Sequence, residues 1–188
     1  MYAKFFKRFI DIVLSLLGIA LLSILFFFMG VMIKLTDPGP IFFVSQRIGR
    51  MGRTFNFYKF RSMPIETSVV ASDELGEVRI TWFGKFIRRF NLDELPQLWN
   101  ILIGDMSIVG PRPSLVSQTE LIALRKRNGA LNCRPGLTGL TQVNSYDGMS
   151  FKIKAKFDAE YAANITFFGD FKIFLQTFLY LVKPPPVY

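Results

Sequence analysis

The sequence contains no histidine and a single cysteine, Cys133. Without imidazole there is no histidine general base, no Ser-His-Asp triad and no histidine-bearing zinc site. With one thiol there is no intramolecular disulfide, a usage that fits a reducing compartment. Acidic residues are scarce too: 14 Asp and Glu stand against 23 Lys and Arg, for a net charge of +9. Two phosphate signatures are missing. No G-x-x-x-x-G-K-[ST] occurs, which argues against a P-loop kinase or ATPase, and the glycines of SQRIGRMGR, Gly49 and Gly52, lack dinucleotide spacing. No D-x-D occurs either, so the usual metal motif of Rossmann-like nucleotide-sugar glycosyltransferases is absent. No internal repeat is present. Any chemistry has to rest on carboxylates, Lys, Arg, hydroxyls or the lone thiol.

What is abundant is apolar surface. The hydrophobic fraction is 51% and there are 21 Phe. Excess positive charge calls for an anionic partner: nucleic acid, phosphorylated substrate or acidic lipid. The Phe content favours lipid over nucleic acid, because the basic residues are interleaved with membrane-type Phe and Ile and not with a recognition module.

Residues 12–33, IVLSLLGIALLSILFFFMGVMI, carry no charge, and a run of roughly 20 apolar residues is long enough to cross a bilayer core. Lys4, Lys7 and Arg8 precede it. Lys34, Arg47, Arg50, Arg53, Lys59 and Arg61 follow it, with Asp37 the lone acid. Basic flanks on both sides conflict with a simple span. Two readings stay open: the helix crosses, or it dips in and returns with both flanks cytoplasmic. Ser23, near its middle, is placed to bend the helix by bonding a carbonyl one turn earlier. Gly18 and Gly30 relax packing on either side. Arg8 and Asp11, three apart, are able to pair on one helix face near the interface.

TDPGPIFF (36–43) ends this helix as a turn. IFFV and TFNFYKF read as short strands joined by the basic link SQRIGRMGR. Residues 64–81 read as a mobile loop, in which the Asp73-Glu74 pair is merely solvated. WFGKFIRRF (82–90) puts Trp82, Phe83, Phe86, Ile87 and Phe90 at helical spacing opposite Lys85, Arg88 and Arg89. Such a helix suits a membrane interface or, equally, a core. NITFFGDFKIFLQTFLYLVK predicts a second aromatic-rich helix, stopped at Pro184-Pro185-Pro186.

Asp93 and Glu94, in NLDELPQLWN, are the pair to explain. Pro96 is tolerated in a first helical turn, so a helix is expected to start near Leu92 or Asp93. Asp93 would then be a cap, favoured by the helix dipole. Against that plain reading stands the company the pair keeps: Lys59, Arg61 and Arg88, then GDMSIVGPRP with Arg112 held between two prolines. Guanidinium groups suit bidentate phosphate contacts. Mg2+ is held by one or two carboxylates plus substrate phosphate oxygens. The combination predicts metal-assisted phosphoryl transfer, in which a carboxylate is also able to attack.

The chain resembles the monotopic polyprenyl-phosphate phosphoglycosyl transferases, the bacterial sugar transferases, in their small single-domain form. The matching stretches are KRFIDIVLS, YKFRSM, GKFIRRFNLDELPQLWNILIGDMSIVGPRP, RPGLTGLTQVN and FDAEYAAN, in family order over nearly the whole chain. The resemblance implies transfer of sugar-1-phosphate from a UDP-sugar to polyprenyl (undecaprenyl) phosphate, with UMP leaving. It implies a ping-pong route in which Asp93 attacks the phosphorus and Glu94 assists with Mg2+. Lys59, Arg88 and Arg112 would hold phosphate or nucleotide. It places the protein at the cytoplasmic face of the bacterial inner membrane, at the first membrane step of glycan assembly. The implied fold is α/β: a re-entrant helix at 1–35, then a catalytic domain at 36–188 with interfacial amphipathic helices and a small β-sheet. One departure stands out. Family helices are often broken at Ser-Pro, whereas Ser23 here precedes Ile24, so the strongest cause of a kink is missing. Two rivals remain: a non-enzymatic basic membrane-surface protein binding anionic lipid, and a Mg2+-dependent lipid-phosphate phosphatase.

Overall fold

The computed structural model describes residues 2–64, 80–144 and 149–182. The expected loop at 64–81 and the closing prolines fall largely outside them, as does the Asp73-Glu74 pair. Within them the architecture is mixed helix and sheet. Helices α1 (Lys7–Leu21) and α2 (Ser23–Thr36) lead into the antiparallel hairpin β1 (Phe42–Ile48) and β2 (Thr54–Phe60). Helices α3 (Trp82–Arg89) and α4 (Gln97–Ile103) follow, then strands β3 (Ser107–Val109) and β4 (Ser114–Leu115). The chain continues through α5 (Thr119–Arg127), β5 (Gly136–Thr138), α6 (Leu140–Val143), α7 (Phe151–Ala163) and α8 (Phe167–Val182). Strand β1 lies between β2 and β4, and β3 pairs in parallel with β5. The first predicted strand, IFFV, continues through Ser45 to Ile48, so half of the basic link is strand rather than connection.

The apolar N-terminal run is broken. Helices α1 and α2 meet at Leu22 with a 60° bend, and no single helix among the described residues is long and apolar enough to cross a membrane. No proline is involved. Leu22 adopts φ −93°, ψ 5°, and the Ser23 hydroxyl donates to the Ala20 carbonyl at 2.9 Å. The expected back-bond is therefore made, three residues back. Asp11 and Ser15 of one arm are buried, as are Met29, Gly30 and Ile33 of the other. At the elbow Leu21 and Ile24 are about 80% exposed. Each arm thus lies on the rest of the chain while an apolar elbow projects from it. The glycines allow this closeness: a Cβ at Gly18 would press on Leu98, and one at Gly30 on Ile41.

Polar ties hold the first arm. Arg8 and Asp11, whose spacing permits a pair, each take other partners. Arg8 donates to the carbonyl oxygens of Ile101 (2.6 Å) and Leu102 (2.8 Å) in the last turn of α4, where intrahelical partners run out. Asp11 accepts from Ser107 Oγ and from the Ile108 amide. Lys7 and Tyr2 both reach the buried carboxylate of Asp170 at 2.7 Å, and the Tyr161 hydroxyl bonds its other oxygen. One carboxylate thereby joins the N-terminus to α7 and α8.

Helix α3 splits its aromatic face. Phe83 and Ile87 are buried with Met29, Ile33 and Phe60, whereas Trp82, Phe86 and Phe90 stay about half exposed or more. The core reading holds for Phe83 and Ile87, and the other aromatics form an exposed apolar face beside them. Thr81 caps it, accepting from the Gly84 amide.

The glycines of GPRP and RPGLTG have a packing reason. Where β3 meets β5, the Gly110 amide donates to Thr138 O (2.8 Å) and the Gly136 amide to Pro111 O (2.9 Å). A Cβ on Gly136 would collide with the Gly110 amide and the Thr138 carbonyl, both backbone atoms that cannot swing away. Gly136→Ala is expected to cost about 1–3 kcal/mol through overpacking. In a chain of this size that lowers Tm by roughly 2–12 °C, read by thermal unfolding in detergent. An unchanged Tm would show that the strands do not approach this closely.

Candidate functional site

The LDEL segment forms a 3-10 turn over Leu92–Glu94, and α4 begins at Gln97 with Pro96 at its cap position. The sequence expectation is therefore corrected. The turn starts at Leu92, but Asp93 caps no helix, and Asn91 enters the turn in the left-handed region (φ 53°), which Asn tolerates well. In a 3-10 turn, residues three apart fall on one side. Leu92 and Leu95 both pack on the cluster formed by Met29, Ile33, Phe60, Phe83 and Ile87. The two carboxylates between them are presented together, with Asp93 6% exposed.

Lys59, near the end of β2, reaches both: its Nζ lies 2.6 Å from Glu94 Oε1 and 3.5 Å from Asp93 Oδ2. Arg112 Nη2 lies 2.9 Å from the same Glu94 oxygen. Arg88, in the last turn of α3, adds its charge to the field on Asp93. The structure thus brings together all five residues singled out from the sequence: Lys59, Arg88, Asp93, Glu94 and Arg112. Arg61 is not among them. It is buried against Asp37, donating to that residue's backbone carbonyl and lying 3.5 Å from its carboxylate.

The two carboxylates are not equivalent. Burial pushes the Asp93 carboxyl up, Glu94 adds to this, and Lys59 and Arg88 only partly offset it. Burial would raise Glu94 as well, but Arg112 and Lys59 together hold its carboxyl well below the usual range. Glu94 is therefore the fixed anion of the pair and Asp93 the more basic member.

Two further groups belong to the site and were not singled out from the sequence. In the β1–β2 register Phe43 faces Lys59, Ser45 faces Phe57, and Arg47 faces Phe55. Side chains two apart share a face, so Arg47, Phe57 and Lys59 stand side by side. Arg47 lies 5.2 Å from the Phe57 ring centre and Lys59 lies 5.7 Å from it, within cation–π range. Burial, then the nearby Arg112 charge, lower the Arg47 guanidinium to about 10, with Glu94 opposing. The second group is Arg125 on α5. It pairs with Asp158 on α7 at 2.7 Å in the interior, and Nη1 donates to the Arg112 carbonyl at 2.9 Å. Asp158 also accepts from Thr141. The loop carrying Arg112 is thus pinned by its backbone between two buried prolines, as its sequence suggests.

Among the described residues no three metal-ligating side chains come together, so no all-protein cage exists. Two carboxylates beside a cationic rim are the donor set expected of an ion such as Mg2+ that draws its remaining ligands from phosphate and water. The residues present fit such an ion, which Asp93 and Glu94 would hold if it binds here.

Fold and site together define a helix-and-sheet protein built around a buried carboxylate pair with a cationic rim. Comparison of the sequence with known proteins narrows this. The family described as "Bacterial sugar transferase" matches residues 2–184. The galactosyl transferase CpsE of Streptococcus agalactiae is 38% identical over 186 residues, covering 91% of this chain and 41% of the relative. The uncharacterized sugar transferase EpsL of Bacillus subtilis is 36% identical over 171 residues, covering 91% of this chain and 84% of the relative. The UDP-glucose:undecaprenyl-phosphate glucose-1-phosphate transferase of Escherichia coli is 37% identical over 183 residues, covering 93% and 39%. The chain spans about two fifths of the first and third of these proteins. It belongs to the bacterial sugar transferase family, a family of transferase enzymes.

Proposed function

We propose that the chain transfers sugar-1-phosphate from a UDP-sugar to polyprenyl phosphate, by analogy with the Escherichia coli relative, whose name describes transfer of glucose-1-phosphate from UDP-glucose to undecaprenyl phosphate. The observation that supports this best is Lys59 lying between Asp93 and Glu94, which leaves one carboxylate fixed and the other basic. In the first step an Asp93 carboxylate oxygen attacks the sugar-bearing phosphorus. The bond from that phosphorus to the bridging oxygen breaks, and UMP leaves with the electron pair. In the second step a phosphate oxygen of the polyprenyl phosphate attacks the same phosphorus. The Asp93 oxygen is released and a polyprenyl diphosphate sugar forms. Glu94 stays ionised and holds Lys59 and Arg112 in place. Those two cations, with Arg88 and Arg47, orient the diphosphate and stabilise the charge that builds on its oxygens. A Mg2+ ion held by Asp93 and Glu94 would neutralise part of the diphosphate charge.

Asp93→Asn is expected to abolish UMP release from UDP-sugar in the presence of polyprenyl phosphate and Mg2+, and to abolish a covalent phosphosugar adduct, with membrane binding retained. Full activity in that variant would sink the nucleophile assignment. Inorganic phosphate appearing in place of UMP would point to a lipid phosphatase, and membrane binding with neither product to a non-enzymatic surface protein.

The pH profile carries a signed test. Asp93 acts ionised, and its folded pKa is raised, mainly by burial. The kcat/KM profile of the free enzyme therefore loses its acid side above the ordinary aspartate range. Lys59→Met removes a charge that lowers Asp93, so the acid limb moves to higher pH and the maximum falls. A limb that stays or moves down contradicts the assignment.

The bent N-terminal pair is proposed to enter the cytoplasmic face of the inner membrane and return, with the exposed apolar elbow at Leu21 and Ile24 inserted. Both arms packing on one body supports this, and so do the two basic flanks. In a Cys133→Ser background, single cysteines at Ala3 and Lys126 should label from the same side of sealed vesicles. Labelling from opposite sides would rule out re-entry.

A further inference from the structure

A cavity of about 680 Å³ lies apart from the carboxylate pair, and none of Lys59, Arg88, Asp93, Glu94 or Arg112 lines it. Its wall comes from the start of α1 (Lys7, Arg8, Asp11), from the β1–β2 turn (Arg50) and from the segment before β5 (Cys133, Arg134). Four cations and one carboxylate face it.

Lys7 is neutralised by Asp170. The three guanidinium groups are not neutralised in this way. Arg8 donates to Ile101 O and Leu102 O, Arg50 to Asn132 O and Arg134 to Gly104 O, the last two at 3.0 Å. Carbonyl oxygens satisfy hydrogen bonds but cancel no net charge. Asp11, the one carboxylate of the wall, spends its Oδ1 on Ser107 and the Ile108 amide. The crowding is felt: burial first, then the charges of Arg8 and Arg50, lower the Arg134 guanidinium. Among the described residues, three guanidinium groups, Arg8 and Arg134 half-buried and Arg50 exposed, thus stand around a space of ligand size with Asp11 as the one carboxylate of its wall. Planar forks of this kind match the oxygens of phosphate better than those of a spherical ion.

We propose that this cavity is a second anion site that binds a phosphate group, as a monoester, a diester or the free ion, through Arg8, Arg50 and Arg134. A phosphate could reach it from two sources. Lys7 and Arg8 open α1 next to Phe5, Phe6 and Phe9, all more than half exposed, which suits the headgroup of an anionic lipid. A water-soluble phosphate is the other source. The inference does not rest on the transfer reaction, and its test reads binding alone.

Cys133 lines the cavity and is the sole cysteine, so its alkylation by a maleimide reports occupancy. The full chain is labelled in neutral detergent with inorganic phosphate or with chloride at matched ionic strength. It is also labelled in nanodiscs of phosphatidylglycerol or of phosphatidylcholine. Labelling should slow at least about fivefold, as for a ligand at a few times its Kd. Slowing by inorganic phosphate identifies the soluble source, and slowing only in phosphatidylglycerol identifies the headgroup. The Arg50→Gln, Arg134→Gln double variant should lose the protection. If that variant melts early, the exposed Arg50→Gln alone should still weaken it. Equal labelling under all four conditions, or protection that survives Arg50→Gln undiminished, overturns the proposal.

Discussion

Two adjacent carboxylates taken out of water repel each other, and each resists ionisation. Lys59 resolves this by reaching both from a strand, where its position is set by the pairing of β2 with β1. The resolution is deliberately unequal. Glu94 receives Lys59 and Arg112 at short range and is held ionised, whereas Asp93 keeps the longer contact and is pushed up by burial. Each unit of such displacement corresponds to about 1.4 kcal/mol between protonation states. A pair of like residues is thereby divided into an anchoring anion and a more basic oxygen, the division that the proposed nucleophile role of Asp93 requires. Removing Lys59 undoes both halves, because it leaves two buried charges facing each other with fewer counter-charges.

That arrangement depends on the N-terminal arms. Leu92 and Leu95, which flank the acids, pack on a cluster to which Met29 and Ile33 of α2 belong. Helix α4, immediately after them, ends on the guanidinium of Arg8 at the start of α1. Asn100 ties the same helix to β2: its side chain accepts from the Tyr58 amide and donates to the Asn56 carbonyl. The strand that presents Lys59 and the turn that presents Asp93 are thus fixed to one another, and both rest on the apolar pair of helices. Movement of the elbow would therefore be felt at the carboxylates through packed contacts alone.

The sequence showed the composition of the site better than its geometry. All five residues picked from charge, proline context and family resemblance converge, because a carboxylate pair in a basic chain needs cations and the loop prolines limit where Arg112 goes. Arg47 escaped notice for a physical reason. Its membership depends on strand register, and register follows from long-range pairing that a stretch read as a link does not reveal. Arg125 and Asp158 escaped for a related one, since they are 33 residues apart and meet only when α5 packs on α7. In the N-terminal run, length, hydropathy and the role of Ser23 were readable, but the Arg8–Asp11 pair was not formed. Helical spacing permitted that contact, yet stronger tertiary partners for both residues were available. The same competition explains Asp93: local rules made it a cap, and Lys59, 34 positions away, claimed it instead.

Scarcity of acid gives the chain its electrostatic pattern. Inside the fold Asp170 is matched by Lys7, Asp158 by Arg125 and Asp37 by Arg61. Such pairs add little net field and, when buried, stabilise less than their contact distance suggests. The surplus behind the +9 charge has to lie elsewhere. In two concave places among the described residues cations outnumber the acids they face. One is the carboxylate pair with Lys59, Arg88, Arg112 and Arg47. The other is the cavity bounded by Arg8, Arg50 and Arg134. Among the described residues, then, structural acids such as Asp158 and Asp170 each meet a cation, whereas these two concave places gather more cations than acids. Like charges gathered in this way repel, and an anion bound at either place, as proposed above, would relieve that repulsion.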